Sequence, residues 1–324
     1  MKICHFLLSN TFAGIEQHVK ELAKIQSNHH EVSILCNKEL SSFYKDFNVI
    51  ILKNSHRRSL LGAYAIYNLL RSNQFDIVHS HGSKTTYKLA IVKNIFKFNF
   101  VATIHGMKTK TNIYNKADYV IGGSKKIISD IKINNTIIYN WYRSSSYVKQ
   151  SSDYALAVGR LEKVKGFDLL IKAWVKIESP LLIVGSGKER EHLTNLIQEL
   201  DLAHKITILD WVSQEKLDEI YSKASVLVIS SLREGGPRVA LEALANNLPV
   251  LSTDVGHMNV IIPNELLAQP NNLTSLENLL QTYVDSIETI NQSAIFKFVR
   301  EEFSLEKQSI KVIQVYDGLL KRSL

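Results

Sequence analysis

Short apolar runs alternate with longer amphipathic segments along nearly the whole chain. Such runs, rich in Val, Ile and Leu, predict buried strands. In the first half they are KICHFLL, EVSILC, VIIL, DIVHS, FVATI, ADYVIG and TIIY, and in the second half YALAVG, PLLIVG, KITILD, SVLVIS and PVLST. Continuous apolar strands separated by helices are typical of parallel sheets that are covered on both faces.

Segments with helical periodicity lie between the predicted strands. They cover residues 15–26, 59–71, 84–96 and 125–131, then 167–177, 188–200, 214–222 and 238–246, with further helices from 273 and the last at about 305–321. Right-handed crossovers of this kind give doubly wound sheets. The pattern predicts an α/β fold of two Rossmann-like domains joined by a polar linker at 143–153. Ligands would bind in a cleft between the domains, beyond the carboxyl ends of the strands.

Composition narrows the class of protein. At 324 residues, with 45% hydrophobic and 22% charged residues, the chain is a globular protein long enough for two domains. The apolar run at 3–8 is too short for a signal peptide or a membrane span. Cys4 and Cys36 lie in apolar runs and are expected to be free thiols. Both features favour a cytoplasmic protein.

Charge is divided unevenly between the halves. Residues 1–150 hold 21 Lys and Arg against 8 Asp and Glu, a net charge of +13, and the remainder holds 18 against 23, a net charge of −5. A basic half can face nucleic acid, an anionic membrane or an anionic substrate, or it can simply keep the protein soluble.

The segment after the strand SVLVIS combines glycines, a helix start and two carboxylates. Gly235 and Gly236 follow Glu234, a helix is predicted to start near Pro237, and Glu242 lies on that helix. The N–H groups and dipole of a helix start favour a diphosphate, and glycines let that anion approach the backbone. Carboxylates accept hydrogen bonds from ribose or sugar hydroxyls. As a set these residues predict a ligand site, although either glutamate alone could be a solvated helix residue.

A second loop indicates the same ligand. The strand YALAVG is followed directly by GRLEKVKG, which carries Arg160 and Lys165. Guanidinium and ammonium groups bind a diphosphate and neutralise the charge that develops as it departs. Taken alone, this loop could also be a solvated basic turn.

Together these segments resemble the donor-binding domain of retaining family 4 glycosyltransferases of the GT-B fold. The resemblance covers residues 154–256 and includes the family's Glu-x7-Glu signature, formed by Glu234 and Glu242. AGIEQHVKELA is similar to the family's glycine loop, TIHG to its histidine loop, and the last helix to the segment that crosses back onto the N-terminal domain. The resemblance implies an acceptor-binding domain at 1–148, joined by the helix at about 305–324, and a donor-binding domain at 149–304.

The resemblance also implies a role for each matching residue. Arg160 and Lys165 would bind the diphosphate and Glu242 the ribose, whereas Glu234 and His105 would act at the transferred sugar. The remaining implied donor contacts are Gly14, Trp211, Val212, Gly235, Gly236, Arg238 and Val239. No metal or other cofactor is expected, because the positive groups take its place.

Two positions depart from the family pattern. Ala13 precedes Gly14 where the family usually has two glycines, and Pro237 stands where a second small residue is usual. Proline lacks an N–H, so a phosphate contact at that turn has to come from Arg238 or its neighbours.

Two features of the first half allow more than one interpretation. His79 and His81 point the same way on a strand, but no acidic residue or cysteine stands at a metal-like spacing, so hydrogen-bonded histidines are favoured over a zinc site. Two basic-apolar segments could rest on an anionic membrane or be core residues with solvated lysines. Their residues are His56, Arg57, Arg58, Leu60, Leu61, Tyr64 and Tyr67 in one, and Lys84, Lys88, Lys93, Lys97, Phe96 and Phe98 in the other.

The sequence thus predicts transfer of a sugar, with retention, from a nucleoside diphosphate to a hydroxyl of a glycan or glycolipid. A UDP-sugar donor, a role in lipopolysaccharide, capsule or O-antigen synthesis, and a place in the cytoplasm or on the cytoplasmic face of the inner membrane are expected. Alternatives are a GT-B sugar-nucleotide epimerase, a dinucleotide oxidoreductase suggested by Gly185-Ser186-Gly187, and a non-catalytic nucleotide- or nucleic-acid-binding protein. Arg190 stands where the dinucleotide motif has its third glycine. No nucleic-acid motif is recognised, so a nucleic-acid partner is not expected.

Overall fold

The chain forms two compact units. The computed structural model describes residues 1–53, 56–106, 110–143, 147–148 and 150–323. One unit is Met1–Tyr139 with Leu305–Leu324, and the other is Asn140–Ser304. The first unit ends at Tyr139, whereas the sequence analysis placed the end of the N-terminal domain at 148. Asn140 Nδ2 donates to the Gly236 carbonyl at 2.7 Å within the second unit. Residues 144–146 and 149 of the predicted linker lie outside the described residues.

The first unit is built on a parallel sheet with strand order β3-β2-β1-β4-β5-β6-β7. Its strands are β1 (Lys2–Phe6), β2 (Glu31–Cys36), β3 (Asn48–Ile51), β4 (Ile77–His81), β5 (Phe100–Ile104), β6 (Tyr119–Gly122) and β7 (Asn135–Ile137). The helices between them are α1 (Gly14–Gln26), α2 (Lys38–Ser41), α3 (Leu60–Asn73), α4 (Ser83–Lys93) and α5 (Lys125–Ile128). Strands β4 and β5 are buried along their whole length, as expected for the centre of a sheet covered on both faces.

The second unit repeats this winding on a sheet with order β10-β9-β8-β11-β12-β13. Its strands are β8 (Tyr154–Val158), β9 (Leu181–Val184), β10 (Ile206–Leu209), β11 (Ala224–Ile229), β12 (Val250–Thr253) and β13 (Leu267–Ala268). Its helices are α6 (Phe167–Ala173), α7 (Arg190–Glu199), α8 (Gln214–Lys223), α9 (Arg238–Ala245), α10 (Met258–Ile261), α11 (Leu273–Tyr283) and α12 (Ser293–Glu302). The chain winds outward from β8 to β10 and then returns to the other side of β8 as β11, so the direction of winding reverses between β8 and β11.

The final helix, α13 (Leu305–Ser323), belongs to the first unit, where it packs on α1. The Tyr316 side chain of α13 is fully buried there and hydrogen bonds to His79 of β4. None of the helices in the described residues combines the length and apolar character needed to cross a bilayer.

The two Rossmann-like units confirm the predicted fold class. The differences lie in short elements and at helix ends: α2, α10 and β13 were not predicted, and α4 and α5 each end three residues before the predicted end, at Lys93 and Ile128. Elements of two to four residues are too short to show a hydrophobic periodicity in the sequence. The predicted helix at 167–177 ends at Ala173 and continues as a 3-10 turn, Trp174–Lys176.

Gly185 and Gly187 allow two loops of the second unit to cross in direct backbone contact. A Cβ on Gly185 would lie 1.8 Å from the Gly159 carbonyl oxygen, and one on Gly187 would lie 2.3 Å from that of Leu161. The Leu161 N–H donates to the Ser186 carbonyl at 2.9 Å. These glycines are thus explained by packing between backbones, without a dinucleotide phosphate.

We expect Gly185→Ala to destabilise the protein by about 2–4 kcal/mol, because the new methyl group would meet a backbone that cannot rotate away. Gly318→Ala on α13 is the matched control, since its Cβ would meet nothing within 4 Å and alanine favours the helix. Urea unfolding measures both variants. Equal stability of the two would contradict the packing argument.

Candidate functional site

Lys165 and Glu234 meet where the winding of the second sheet reverses. Lys165 follows β8 and Glu234 follows β11, and these two strands pair directly. The Lys165 Nζ lies 2.5 Å from Glu234 Oε1, and both side chains are less than one-fifth exposed. Ser231 Oγ also donates to Glu234 Oε1, at 2.8 Å. Open parallel sheets bind ligands outside the strand ends at this switch point, so the pair marks the candidate site.

Backbone contacts hold the two loops together below this pair. Gly166, at φ +63°, ends the 3-10 turn that carries Lys165, and a Cβ there would lie 2.3 Å from the Ser230 carbonyl oxygen. The Leu232 N–H donates to the Val164 carbonyl at 2.9 Å. Only glycine combines this positive φ with so close an approach. These contacts fix the backbone that carries Lys165, and the ion pair with Glu234 then holds its ammonium group.

The glycine turn after Glu234 is enclosed by a neighbouring loop. A Cβ on Gly236 would lie 2.4 Å from the buried ring of His257, and one on Gly256 would lie 2.9 Å from Gly236. Asn140 holds the Gly236 carbonyl from the other direction. Asn140 and His257 had no signal in the sequence, because segments that are distant along the chain bring them to this turn.

Helix α9 begins directly after this turn. Pro237 occupies the N-cap in extended conformation, so the helix starts at Arg238, one residue after the proline. Arg238 and Val239, both partly buried, form its first turn. This order leaves the early N–H groups of α9 at the carboxyl end of β11, which is the arrangement that binds anions in other proteins.

Glu242 lies on the second turn of α9 and is half-buried. Its carboxylate contributes to raising the pKa of both Tyr147 and Tyr221, although burial of the two phenols is the larger cause. The two tyrosine rings stack with centroids 5.8 Å apart, beside the Arg143–Asp218 ion pair. Glu242 and Glu234 thus have different neighbours: Glu234 binds Lys165, and Glu242 faces a tyrosine pair that the sequence analysis did not identify.

The remaining predicted donor contacts of this unit are more exposed. Arg160 pairs with Glu162 at 2.8 Å and its side chain is 72% exposed, so the structure does not bring it into the Lys165–Glu234 pair. Trp211 is 76% exposed, and its backbone N–H donates to Ser186 Oγ at 3.0 Å. Val212, next to it, is partly buried. The roles of these three residues stay predictions.

In the first unit, Gly14 begins helix α1 and His105 lies directly after strand β5. Gly14 is the first residue of α1, where an added Cβ would meet nothing within 4 Å. Protein packing therefore does not require a glycine at this position. His105 follows β5 directly, and its Nε2 lies 3.0 Å from His81 Nδ1.

His105 is the outer end of a buried histidine cluster. His5, His79 and His81 are fully buried, and ligand atoms of the three lie within 4.8 Å of one another. His79 is hydrogen bonded to Tyr316 and Thr103 at 2.6 and 2.7 Å, which confirms the prediction of hydrogen-bonded strand-end histidines. Burial lowers the pKa of His5 to about 4 and the pKa values of the other two well below their usual range. The three rings are therefore neutral at physiological pH.

Comparison with known proteins identifies the class of both units. Residues 142–292 match the family model described as Glycosyl transferases group 1, and residues 12–137 match that of Glycosyltransferase Family 4. The chain is a glycosyltransferase of GT-B type. It is 28% identical to an uncharacterized glycosyltransferase of Methanocaldococcus jannaschii, over 94% of this chain and 95% of the relative. It is 29% identical to the O-antigen chain mannosyltransferase RfbU of Salmonella typhimurium, over 54% and 51%.

A solved structure shares the fold of this glycosyltransferase. Anabaena HepE in complex with UDP superposes with a TM-score of 0.84 at 17% identity, covering 98% of this chain and 100% of HepE. The two family models divide the glycosyltransferase close to the boundary of its two compact units. The Lys165–Glu234 pair lies in the region matched by the first model, and the histidine cluster in strands β1 and β4 belongs to the other unit.

We expect the protein to lose stability as the pH falls below about 6.5. The folded-state pKa of His5 is below that of the unfolded chain, so the neutral ring stabilises the fold above pH 6.5 and this contribution is lost towards pH 4. For His5 alone the loss at pH 5 is roughly 2 kcal/mol, and His79 and His81 add to it. Urea unfolding between pH 7.5 and 5 measures the slope.

His5→Asn is expected to flatten that slope, even though its lost hydrogen bonds lower stability at neutral pH. The solvent-exposed His192→Asn is the control, since it changes one histidine without touching the cluster. A slope that is the same in both variants would argue against neutral buried histidines.

Proposed function

We propose that this glycosyltransferase moves a sugar from a nucleoside diphosphate sugar to a hydroxyl of a glycan or glycolipid, with retention at the anomeric carbon. The observation that carries the proposal is the Lys165–Glu234 pair at the switch point of the second sheet. A cation and a carboxylate at this position supply one group for a diphosphate and one for sugar hydroxyls. Retention of configuration at the anomeric carbon is inferred from the family that the sequence resembles.

The reaction needs positive charge at the leaving group. As the glycosidic bond to the diphosphate breaks, negative charge grows on the departing oxygen and the sugar acquires oxocarbenium character. The Lys165 ammonium and the start of α9 at Arg238 supply positive charge from fixed positions, and groups aimed at developing charge lower the barrier. Arg160, which is exposed, would add a second cation by leaving its half-buried partner Glu162. We propose that these groups serve in place of a metal ion.

The Lys165–Glu234 contact also suggests how the two charged groups are stabilised before the donor binds. Two charged groups this far removed from water would each be costly alone, and their contact offsets that cost. A bound diphosphate would offer Lys165 an alternative anion and release Glu234 to accept hydrogen bonds from the sugar. Binding of the donor and exposure of the sugar-binding carboxylate would thereby be coupled.

A UDP-sugar donor and a polysaccharide or lipopolysaccharide product are the finer parts of the proposal. The UDP-bound HepE structure has the same fold, and RfbU is a mannosyltransferase of O-antigen chains. The UDP in the HepE structure favours a uridine nucleotide in the donor, and the O-antigen product of RfbU favours a surface-polysaccharide acceptor. The name of RfbU implies mannose, whereas UDP alone implies no particular sugar. The transferred sugar is therefore left to the donor assay below.

We further propose that the enzyme works at an anionic membrane surface through the start of α3. Leu60, Leu61 and Tyr64 are 78%, 83% and 63% exposed, and the exposed Arg57 and Arg58 precede them. Apolar side chains next to arginines suit the boundary between acyl chains and anionic headgroups. This group of five residues is called the α3 patch below.

The second basic segment does not support a membrane contact. Lys88 is buried and donates to the His56 carbonyl at 3.1 Å, and Lys93 lies 2.6 Å from Asp118. Two of the four lysines of this segment therefore make contacts within the protein and do not face an anionic surface.

We expect one class of UDP-, GDP- or ADP-sugar to raise the melting temperature selectively, since only the bound fold is stabilised. With that donor, Lys165→Ala should lower kcat roughly 30- to 1,000-fold, equivalent to about 2–4 kcal/mol of lost charge stabilisation. Lys163→Ala, in the same turn but exposed, is the matched control. Product release measures the rate, and the anomeric proton of the product, read by NMR, reports retention.

Equal rates for the Lys165 and Lys163 variants would contradict the role of Lys165. Because Lys165→Ala leaves Glu234 without its cation, Glu234→Gln is added as a second variant that removes the buried charge. Consumption of the donor without an acceptor would favour the epimerase alternative.

The α3 patch predicts binding to anionic vesicles at low salt and little binding to zwitterionic ones. Arg57→Gln and Arg58→Gln should each weaken the partition coefficient about five-fold, from about 1 kcal/mol per charge near the surface. Leu61→Glu should weaken it further, whereas Val148→Glu, at a similarly exposed apolar position of the other unit, should not. Vesicle flotation measures binding. Equal flotation of the Leu61 and Val148 variants would rule out the patch.

A further inference from the structure

A continuous chain of hydrogen bonds connects the end of α1 to His105. Gln26 Oε1 lies 2.8 Å from His5 Nε2, and His5 Nδ1 lies 3.0 Å from His81 Nε2. His81 Nδ1 in turn lies 3.0 Å from His105 Nε2. All four residues belong to the first unit, and the inner three are buried. The chain therefore runs from the protein interior to the loop after β5.

The polarity of the chain follows from its inner end. An amide oxygen can only accept, so His5 carries its proton on Nε2 and donates to Gln26. A neutral imidazole has one donor and one acceptor nitrogen, so His5 Nδ1 accepts from His81 Nε2. By the same rule His81 Nδ1 accepts, and it accepts from His105 Nε2. The donor-to-acceptor direction is therefore the same at every hydrogen bond of the chain.

A side branch is consistent with this polarity. Burial raises the pKa of the Tyr316 phenol, and the nearby Gln26 side chain opposes that shift. The Gln26 amide nitrogen makes no hydrogen bond within the described residues, and its amide oxygen is the atom that lies against His5. His79 Nδ1 is hydrogen bonded to the Tyr316 hydroxyl and His79 Nε2 to Thr103 Oγ1, and a hydroxyl can serve as donor or acceptor in either bond. Every buried ring nitrogen of this branch has a partner of the correct type.

We propose that Gln26, His5 and His81 are positioning residues that hold His105 in one tautomer, with its proton on Nε2 and its lone pair on Nδ1. The inference rests on the proposed function in one respect only, the placement of His105 at the reacting sugar. The assignment of the tautomer rests on the hydrogen bonds alone.

The tautomer decides what His105 can bind. With its proton directed to His81, the other ring nitrogen can accept a hydrogen bond but cannot donate one. A sugar hydroxyl fits that nitrogen, whereas a phosphate oxygen would place two lone pairs against each other. His105 is thereby a residue specific for hydroxyl groups, and the diphosphate is left to the cations of the other unit.

A metal ion held by His5, His79 and His81 is the competing explanation of the same cluster. Their ligand atoms are close enough to share an ion, but both nitrogens of His79 are bonded to Tyr316 and Thr103. His5 and His81 use the nitrogens that face each other for their mutual hydrogen bond. Metal binding would require these bonds to break, so hydrogen bonding is the better account.

Long-range 1H–15N NMR on protein labelled at histidine nitrogen tests the proposal, because protonated and unprotonated imidazole nitrogens resonate far apart. His105→Gln assigns the signals. We expect the wild-type His105 to show a protonated Nε2 and an unprotonated Nδ1. Gln26→Met, which keeps the length of the side chain but removes the acceptor, should give His105 averaged or exchanged nitrogen shifts. It should also lower kcat/KM for the donor roughly 3- to 10-fold, the range for one neutral hydrogen bond.

Gln17→Met on the same helix is the matched control and should leave the shifts unchanged. A wild-type His105 protonated on Nδ1, or identical spectra of wild type and Gln26→Met, would overturn the proposal, as would stoichiometric zinc in the purified protein with metal-shifted His5 and His81 signals. If Gln26→Met does not fold, the wild-type spectrum still decides. The expected tautomer in a protein that turns over no nucleotide sugar would support the chain and count against the proposed function alone.

Discussion

The direct pairing of β8 with β11 is the constraint on which the donor unit depends. A doubly wound sheet has one place where consecutive loops leave adjacent strands toward opposite faces, and here Lys165 and Glu234 follow those two strands. The loops are then bound to each other by backbone contacts, with Gly166 against Ser230. The ion pair is consequently a product of topology and loop geometry, and side-chain flexibility contributes little to its position.

The two units use the same winding for different chemistry. In the second unit the strand ends carry cations and carboxylates, which suit an anionic donor. In the first unit the corresponding strand ends carry His105 and a chain of neutral histidine rings. Because a neutral imidazole repels no hydroxyl and attracts no phosphate strongly, such a division would keep the diphosphate and the reacting hydroxyls from competing for the same groups. The net charges of the two halves of the sequence, +13 and −5, do not by themselves reveal this difference between the units. Much of the basic charge lies outside either candidate site.

The strands, the doubly wound α/β class and the loops that carry Lys165 and Glu234 could be predicted from the sequence because they depend on local patterns. Apolar runs predict strands, and glycines beside charged residues indicate loops after them. The electrostatic influence of Glu242 on Tyr147 and Tyr221 could not be predicted, since it joins three segments with no shared motif. The same holds for Arg160, whose exposed pairing with Glu162 is one of several rotamers that a surface arginine can adopt.

The histidine chain shows the limit of sequence patterns most clearly. His79 and His81 were visible as a pair, but His5 becomes their neighbour only because β1 and β4 are parallel and pair His5 with His79 in register. A shift of one residue would turn His5 to the opposite face of the sheet. Gln26 and Tyr316 then complete the network from α1 and α13, at opposite ends of the sequence. Breaking any of these buried hydrogen bonds would leave a polar group unpaired at a cost in free energy, so the register of β1, the end of α1 and the return of α13 depend on one another. This mutual dependence gives α13 a physical reason to belong to the first unit.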